Sequence, residues 1–359
     1  MSPAAVVESP PRSPGFEKQK LAPTEGPAWK RVIVSRQRPI LRSSIWQLVN
    51  TLVPYFVLWG LMIWSLGISY WLTLGMAVLA AGFLARTFMI FHDCTHGSFL
   101  KSRRANHFLE FFTGVLTFTP YAQWRHKHAL HHATSGDLDR RGEGDIWTMT
   151  VQEYLDASRW KRLSYRLVRN PIVLFVIAPL YLFLIHHRFP STTVGRRERA
   201  GVLWTNMALL AILIAMSLTI GIKAYLLIQL PVMFFAGAAG IWLFYVQHQF
   251  GGVYWARKPE WDFADAALNG SSYYKLPKVL QWFTGNIGFH HIHHLSPAIP
   301  NYSLEQCHKA SAAFQQVRTV TLWSGLSALS LRLWDERKKR LVGFGRLRSY
   351  RRTKSIHFS

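Results

Sequence analysis

WLTLGMAVLAAGFLARTFMI, residues 71–90, runs through Phe91 into the motif His92-Asp-Cys-Thr-His96. A helix needs about 20 mostly apolar residues to cross a bilayer core, so this stretch predicts a membrane span that delivers two histidines to its exit. Residues four apart on a helix share a face, and a face with two imidazoles suits a metal ion. Two further clusters repeat the theme: His128-Ala-Leu-His131-His132 and His290-His-Ile-His293-His294.

Working outward, Trp46–Leu66, Gly201–Gly221 and Ala224–Val246 are also of spanning length, and Pro171–Ile185 is a shorter fifth block. The chain of 359 residues is half hydrophobic yet carries a net charge of +24. In a soluble protein that charge would suggest nucleic acid. Here the basic residues fall between and outside the apolar blocks, as the positive-inside bias requires. The charge therefore reads as topology and attraction to anionic lipid, with no nucleic-acid partner.

Parity constrains the crossings. The three clusters can share a site only on one side of the membrane. Trp46–Leu66 and Trp71–Ile90 form a hairpin around Gly67-Ile-Ser69, and Gly201–Gly221 and Ala224–Val246 a second around Ile222-Lys223. Pro171–Ile185 must then fail to cross. It is short, holds Pro179 and ends in basic residues, so it is expected to be interfacial or re-entrant. His107–Tyr121, with Glu110, is expected along the interface. The predicted fold is all-α and integral to the membrane: four transmembrane helices, interfacial helices and a cytoplasmic helical cap carrying a dinuclear metal site. Residues 1–43 read as a disordered cytoplasmic arm with no signal peptide, 44–332 as the membrane domain and 333–359 as a basic tail. Both termini and the site are expected in the cytoplasm. Cys94 and Cys307 are read as free thiols.

Eight histidines in three compact motifs exceed what one zinc ion uses. Asp93 stands where a zinc protease would need Glu, and no Glu-x-x-His pair of the soluble di-iron bundles is present. An all-histidine dinuclear site at a membrane surface points to iron and oxygen, although imidazole also suits zinc, copper and nickel. His107, His186, His187, His308 and His357 are given no role.

From about Pro54 to about His308 the chain resembles the membrane fatty acid desaturases, through the His-x-x-x-His box and the two His-x-x-His-His boxes. The stretches Gly136-Asp-Leu-Asp-Arg-Arg-Gly-Glu-Gly-Asp145, Tyr245-Val-Gln-His-Gln-Phe250, Gly285-Asn-Ile-Gly-Phe289 and Leu295-Ser-Pro-Ala-Ile-Pro-Asn-Tyr302 are similar to the bacterial acyl-lipid branch. The resemblance implies His92, His96, His128, His131, His132, His290, His293 and His294 as iron ligands, with His248 as the ninth, and no catalytic residue beyond them. It implies two iron ions, O2 as co-substrate, and a cis double bond introduced into a lipid-linked acyl chain, of Δ12 or Δ5 type, in a bacterial cytoplasmic membrane. Asp93, Asp137, Asp139 and Asp145 are candidates to orient imidazoles, or else helix caps and arginine partners. His126 and His291 flank the boxes off their pattern and are expected to hydrogen-bond nearby. Animal relatives carry Asn where Phe244 stands, so Gln247 or Asn286 is expected to complete the coordination. No fused haem domain, four-cysteine iron–sulfur pattern or dinucleotide fingerprint is present, so a separate ferredoxin-like donor is expected. The rivals are a hydroxylase on the same scaffold and a non-catalytic membrane protein that binds metal or lipid.

Overall fold

A computed structural model of the chain describes residues 26–142, 144–347 and 350. Most of the expected N-terminal arm, the Arg351-Arg-Thr-Lys354 run and His357 lie outside the described residues.

Four of the described helices are long and apolar enough to cross a membrane: α2 (Leu41–Ser65), α3 (Tyr70–His96), α9 (Arg196–Thr219) and α10 (Ile222–His248). At about 1.5 Å per residue, the 27 residues of α3 and of α10 reach about 40 Å, beyond the ~30 Å hydrocarbon core. They are therefore long enough to reach past the hydrocarbon core, and each ends on a histidine. Pro54 and Pro231 lie inside spans, where neighbouring helices supply the packing that tolerates them. The turn between α9 and α10 is made by Gly221 at φ 86°, just before the turn expected at Ile222-Lys223. Buried Ala77, Ala80 and Ala81 let α3 pack closely against α2 and α10.

α4 (Arg103–Leu116) packs along α3, and α5 (Tyr121–Thr134) packs against α9. α6 (Val151–Asp156) opens with a Thr150–Glu153 capping box, and α7 (Arg159–Val168) leads into a helical stretch, Val173–Arg188, bent 59° from it. In that stretch α8 (Ala178–Leu180) lies between two wider π-turn segments. Phe175 meets Trp242 and Tyr245 of α10, and Pro179 and Phe183 close on Gly237, where a Cβ would sit 3.0 Å from Pro179. From Tyr245 to Gly237 is a descent of about 12 Å along α10. The stretch then ends with Arg188 bonded to the Phe118 carbonyl at 2.5 Å and to Asn206 at 2.8 Å, between α4 and α5. By its 59° bend this helix pair is either a broken span or a re-entrant loop.

The cap holds α11 (Phe263–Asn269), α12 (Lys278–Phe283), α13 (His290–Leu295), α14 (Leu304–Lys309), α15 (Ala312–Gln315) and α16 (Leu322–Ala328), with five short strands among the described residues. β2 (Tyr273–Lys275) pairs in parallel with β3 (Thr319–Thr321).

Both flanks differ from expectation. Gly26–Arg36 forms helix α1, in the region read as disordered. Its Ile33 is buried with Ile292 and Cys307, and Trp29 and Val32 pack alongside; this apolar face was hidden among Pro, Ser and basic residues. In the expected tail, β4 (Leu333–Asp335) pairs with β1 (Met149–Thr150) and β5 (Arg340–Val342). Leu333 and Val342 are buried against Tyr154 and Tyr165. The basic residues of Arg337-Lys-Lys-Arg340 belong largely to the turn between these strands.

Candidate metal centre

Four elements carry the nine histidines to one place. α3 supplies His92 and His96 from its last turn and stops at once, because Gly97 adopts φ 70° and the Gly97 and Ser98 N–H groups bond the Cys94 and Asp93 carbonyls. α5 supplies His128, His131 and His132, α10 ends on His248, and α13 supplies His290, His293 and His294.

Their ring nitrogens form two groups, His92, His96, His128, His132 and His293 in one and His131, His248, His290 and His294 in the other, each within 4.8 Å throughout. In the first, Nε2–Nε2 separations are 3.0 Å (His92–His128), 3.1 Å (His128–His132) and 2.9 Å (His132–His293). In the second they are 3.2 Å (His131–His248), 2.9 Å (His248–His290) and 3.1 Å (His290–His294). The groups adjoin where the His132 and His294 rings stack at 4.3 Å.

Ring-to-ring hydrogen bonds cannot satisfy these nets. His128, His132, His248 and His290 each face two other Nε2 atoms, whereas an imidazole nitrogen offers one proton or one lone pair. The Nε2 of His96 is buried without a partner. Two nitrogens at right angles about 2.1 Å from one cation lie about 3.0 Å apart, close to the separations seen. Burial, and then the neighbouring imidazoles, hold His128, His132, His290, His293 and His294 well below their ordinary pKa of 6.5. That is the neutral form a metal requires. The residues present therefore fit two metal ions, held by histidine alone.

Two of the four aspartates orient rings. Asp145 Oδ1 accepts from His131 Nδ1 at 2.6 Å. Asp93 Oδ1 lies 3.3 Å from His92 Nδ1, and its Oδ2 accepts from the Asn301 backbone and side chain at 2.7 and 2.8 Å. Asp137 instead caps the Asp139 and Arg140 N–H groups and pairs with Arg140, and Asp139 pairs with Arg257. His126 is exposed on α5. His291 turns away to bond His308 Nδ1 at 3.2 Å. Neither Gln247 nor Asn286 joins a group: Gln247 donates to the Ile287 carbonyl, and Asn286 accepts from Gln281. The Phe244 ring packs against His131 and His248 at 5.2 Å from each, so this position closes the second group with carbon.

Three contributors were not anticipated. Trp124 stacks on His128 at 4.3 Å and meets Phe88 and Phe91, forming an apolar wall beside the first group. Asn301 anchors Asp93, and its signal was the Pro-Asn-Tyr end of a quoted motif. Gly144, at φ 75°, lets the chain pass so close that a Cβ would lie 2.9 Å from the Lys127 carbonyl and 3.1 Å from His131 Cβ. That approach brings Asp145 to its ring.

A family model described as fatty acid desaturase matches residues 69–325. The chain is 50% identical over 327 residues to a fatty acid desaturase of Bacillus subtilis (strain 168), covering 91% of this chain and 93% of that protein. Two relatives from Synechocystis are each 26% identical. One, an sn-1 oleoyl-lipid 12-desaturase, matches over 66% of both chains; the other, an sn-1 acyl-lipid omega-3 desaturase (ferredoxin), over 62% of both.

Proposed function

The chain belongs to the fatty acid desaturase family, and from that premise we propose that it is an O2-dependent acyl-lipid desaturase whose nine histidines hold two iron ions. The observation that carries the reading is the pair of adjoining, buried, all-imidazole groups. Iron bound there would supply reductive activation of O2, strong enough to remove hydrogen from an unactivated methylene. The protein's own part is placement. Asp145 and Asp93 fix the orientation of His131 and His92 through their far nitrogens. Trp124, Phe88, Phe91 and Phe244 give the two groups apolar neighbours, which suit an acyl chain and exclude water. Selecting one carbon pair is then positioning of the chain against a fixed site.

The substrate is proposed to be a membrane lipid, with the double bond introduced in cis at a Δ12 or Δ5 type of position. The activities for which the cyanobacterial relatives are named support an acyl-lipid substrate and a ferredoxin donor. The bacterial cytoplasmic membrane, with the histidine end and both termini inside, agrees with the distribution of basic residues. The proposed membrane domain, 44–332, contains all nine histidines, flanked by 1–43 and 333–359.

The test is expression in a bacterial host free of desaturase, with fatty acid methyl esters analysed by gas chromatography and mass spectrometry beside a His131→Ala control. A new alkene in the first strain alone is expected, and its position follows from the same spectra. A hydroxy acid in its place would overturn the desaturase reading. Purified protein is expected to hold two irons per chain; zinc in their place would overturn the di-iron reading.

A further inference from the structure

The reaction proposed above needs electrons that this chain does not store, and the inference here rests on that reading. For each double bond, R–CH2–CH2–R′ + O2 + 2 e⁻ + 2 H⁺ gives R–CH=CH–R′ + 2 H2O. The two broken C–H bonds supply one electron pair, and the other pair comes from two one-electron carriers, each left oxidised.

One short surface segment is connected by hydrogen bonds to both histidine groups. Gln37 Nε2 donates to Ser296 Oγ at 3.1 Å, two residues beyond His294 of the second group. Three residues on, the Ile40 N–H donates to Tyr302 Oη at 2.8 Å. The adjoining Asn301 donates twice to Asp93, which meets His92 of the first group. Beneath the segment, α1 packs Ile33 into the cluster that contains Ile292, from the helix bearing the ligands. Gln37–Ile40 thus reaches each group through covalent and hydrogen bonds alone.

The charge around the segment has one sign. No acidic residue occurs from Gly26 to His92. Lys30, Arg31, Arg38 and Arg42 are exposed, and the Ser44–Phe99 hydrogen bond of 2.6 Å draws in the turn that leads to exposed Arg103 and Arg104 at the start of α4. Glu305, on the helix α1 packs against, is ion-paired to Lys278 and Lys309. Val34 and Ile40 are 63% and 54% exposed within the basic rim, the pattern of an apolar centre with a charged border.

We propose that the exposed face of α1, the 37–42 segment and the adjacent 101–104 stretch at the start of α4 form the docking surface for an acidic one-electron carrier protein of ferredoxin type, with electrons entering at Gln37–Ile40. Anionic lipid would satisfy the charge but would give the hydrogen-bonded routes no purpose.

The test uses the full-length, iron-loaded enzyme in phosphatidylcholine nanodiscs that supply the acyl substrate. It is driven either by a reduced acidic [2Fe–2S] ferredoxin or by dithionite with a small mediator. The variant Lys30→Glu/Arg31→Glu/Arg38→Glu is expected to raise the KM for ferredoxin about tenfold or more, with mediator-driven turnover unchanged. Arg159→Glu/Lys161→Glu, exposed on α7, is expected to change neither. Gln37→Leu keeps the charge and is expected to slow reduction at saturating ferredoxin without moving KM. An unchanged ferredoxin KM in the triple variant, an equal loss with the mediator, or an effect that appears only with anionic lipid present overturns the docking surface and leaves the function standing. If the wild-type enzyme makes no alkene with either reductant, both readings fall.

Discussion

Replacing Asp145 tests whether the second histidine group holds its own metal. The carboxylate accepts from His131 Nδ1 at 2.6 Å, and the ring's Nε2 lies 3.2 Å from that of His248. Asn at this position keeps an acceptor but removes its charge. A hydrogen bond to a charged group contributes about 1.5–3 kcal/mol and a neutral one about 0.5–1.5. The loss is therefore about 1–1.5 kcal/mol, roughly tenfold in the affinity of the site that His131 serves. Ala removes the acceptor, leaves the Nδ1–H buried without a partner and frees the ring to rotate, for a loss nearer a hundredfold. The assay is iron per chain during titration with a chelator. Wild type is expected to release two irons of comparable resistance. Asp145→Asn is expected to release one at about tenfold lower chelator, and Asp145→Ala to be isolated with about one iron. Because His131 belongs to the second group only, the iron that remains should be the one bound through His92, His96, His128, His132 and His293. Two irons with unchanged chelator resistance in the Ala variant would refute the reasoning, as would equal weakening of both.

Phe244→Ala opens the carbon wall beside His131 and His248; more O2 is expected to be consumed per alkene formed, measured with an oxygen electrode beside product analysis. Gly144→Ala forces a side chain into φ 75° against the Lys127 carbonyl. It should cost about 1–2 kcal/mol from the backbone alone, read as a lower thermal midpoint and weaker iron retention. Iron removal should lower the midpoint, and adding iron back should raise it with concentration. In the metal-free protein the buried histidines of α5 and α13 with depressed pKa bind protons more readily unfolded than folded. Stability should accordingly be present above about pH 6.5 and fall as the pH drops below it, which chemical denaturation across that range would show; a flat profile would contradict their burial.

The spans were legible because length and apolarity are local properties, and the eight box histidines because helical spacing puts them on shared faces. His248 was not legible in this way. It is a single histidine at the end of an apolar helix, and nothing local separates it from a buried structural one; only the resemblance singled it out. The aspartates divided two and two because pairing depends on where loops bring them. Asp145 reaches His131 through a glycine whose need is set by distant backbone, while Asp137 is spent on its own turn. Gln247 and Asn286 were chosen by polarity near the site, yet each satisfies a local partner. Helix α1 and strands β4 and β5 were missed because a few apolar residues among many charges bury only when a distant surface receives them.

The division of the nine histidines into five and four follows from helix geometry. Successive residues turn by about 100°, so i+4 stands about 40° from i, and i+3 about 60° to the other side. In a His-x-x-His-His box the outer pair, i and i+4, therefore converges, and the middle histidine diverges by about 100° from its neighbour. On α5 the outer pair, His128 and His132, enters the first group, and His131 enters the second. On α13 the sense is reversed: His290 and His294 enter the second group, and His293 the first. Each box thus feeds both groups, two to one and one to the other. The His-x-x-x-His box adds an outer pair alone, and both its members join the first group. The three boxes by themselves would leave the second group with three imidazoles. His248, at the end of a helix longer than the hydrocarbon core is thick, brings it to four. His248→Ala should consequently weaken the second site selectively, whereas His96→Ala still leaves four imidazoles in the first. If His96→Ala cost as much iron as His248→Ala, the first group would need all five of its imidazoles, and the surplus inferred for it would be wrong.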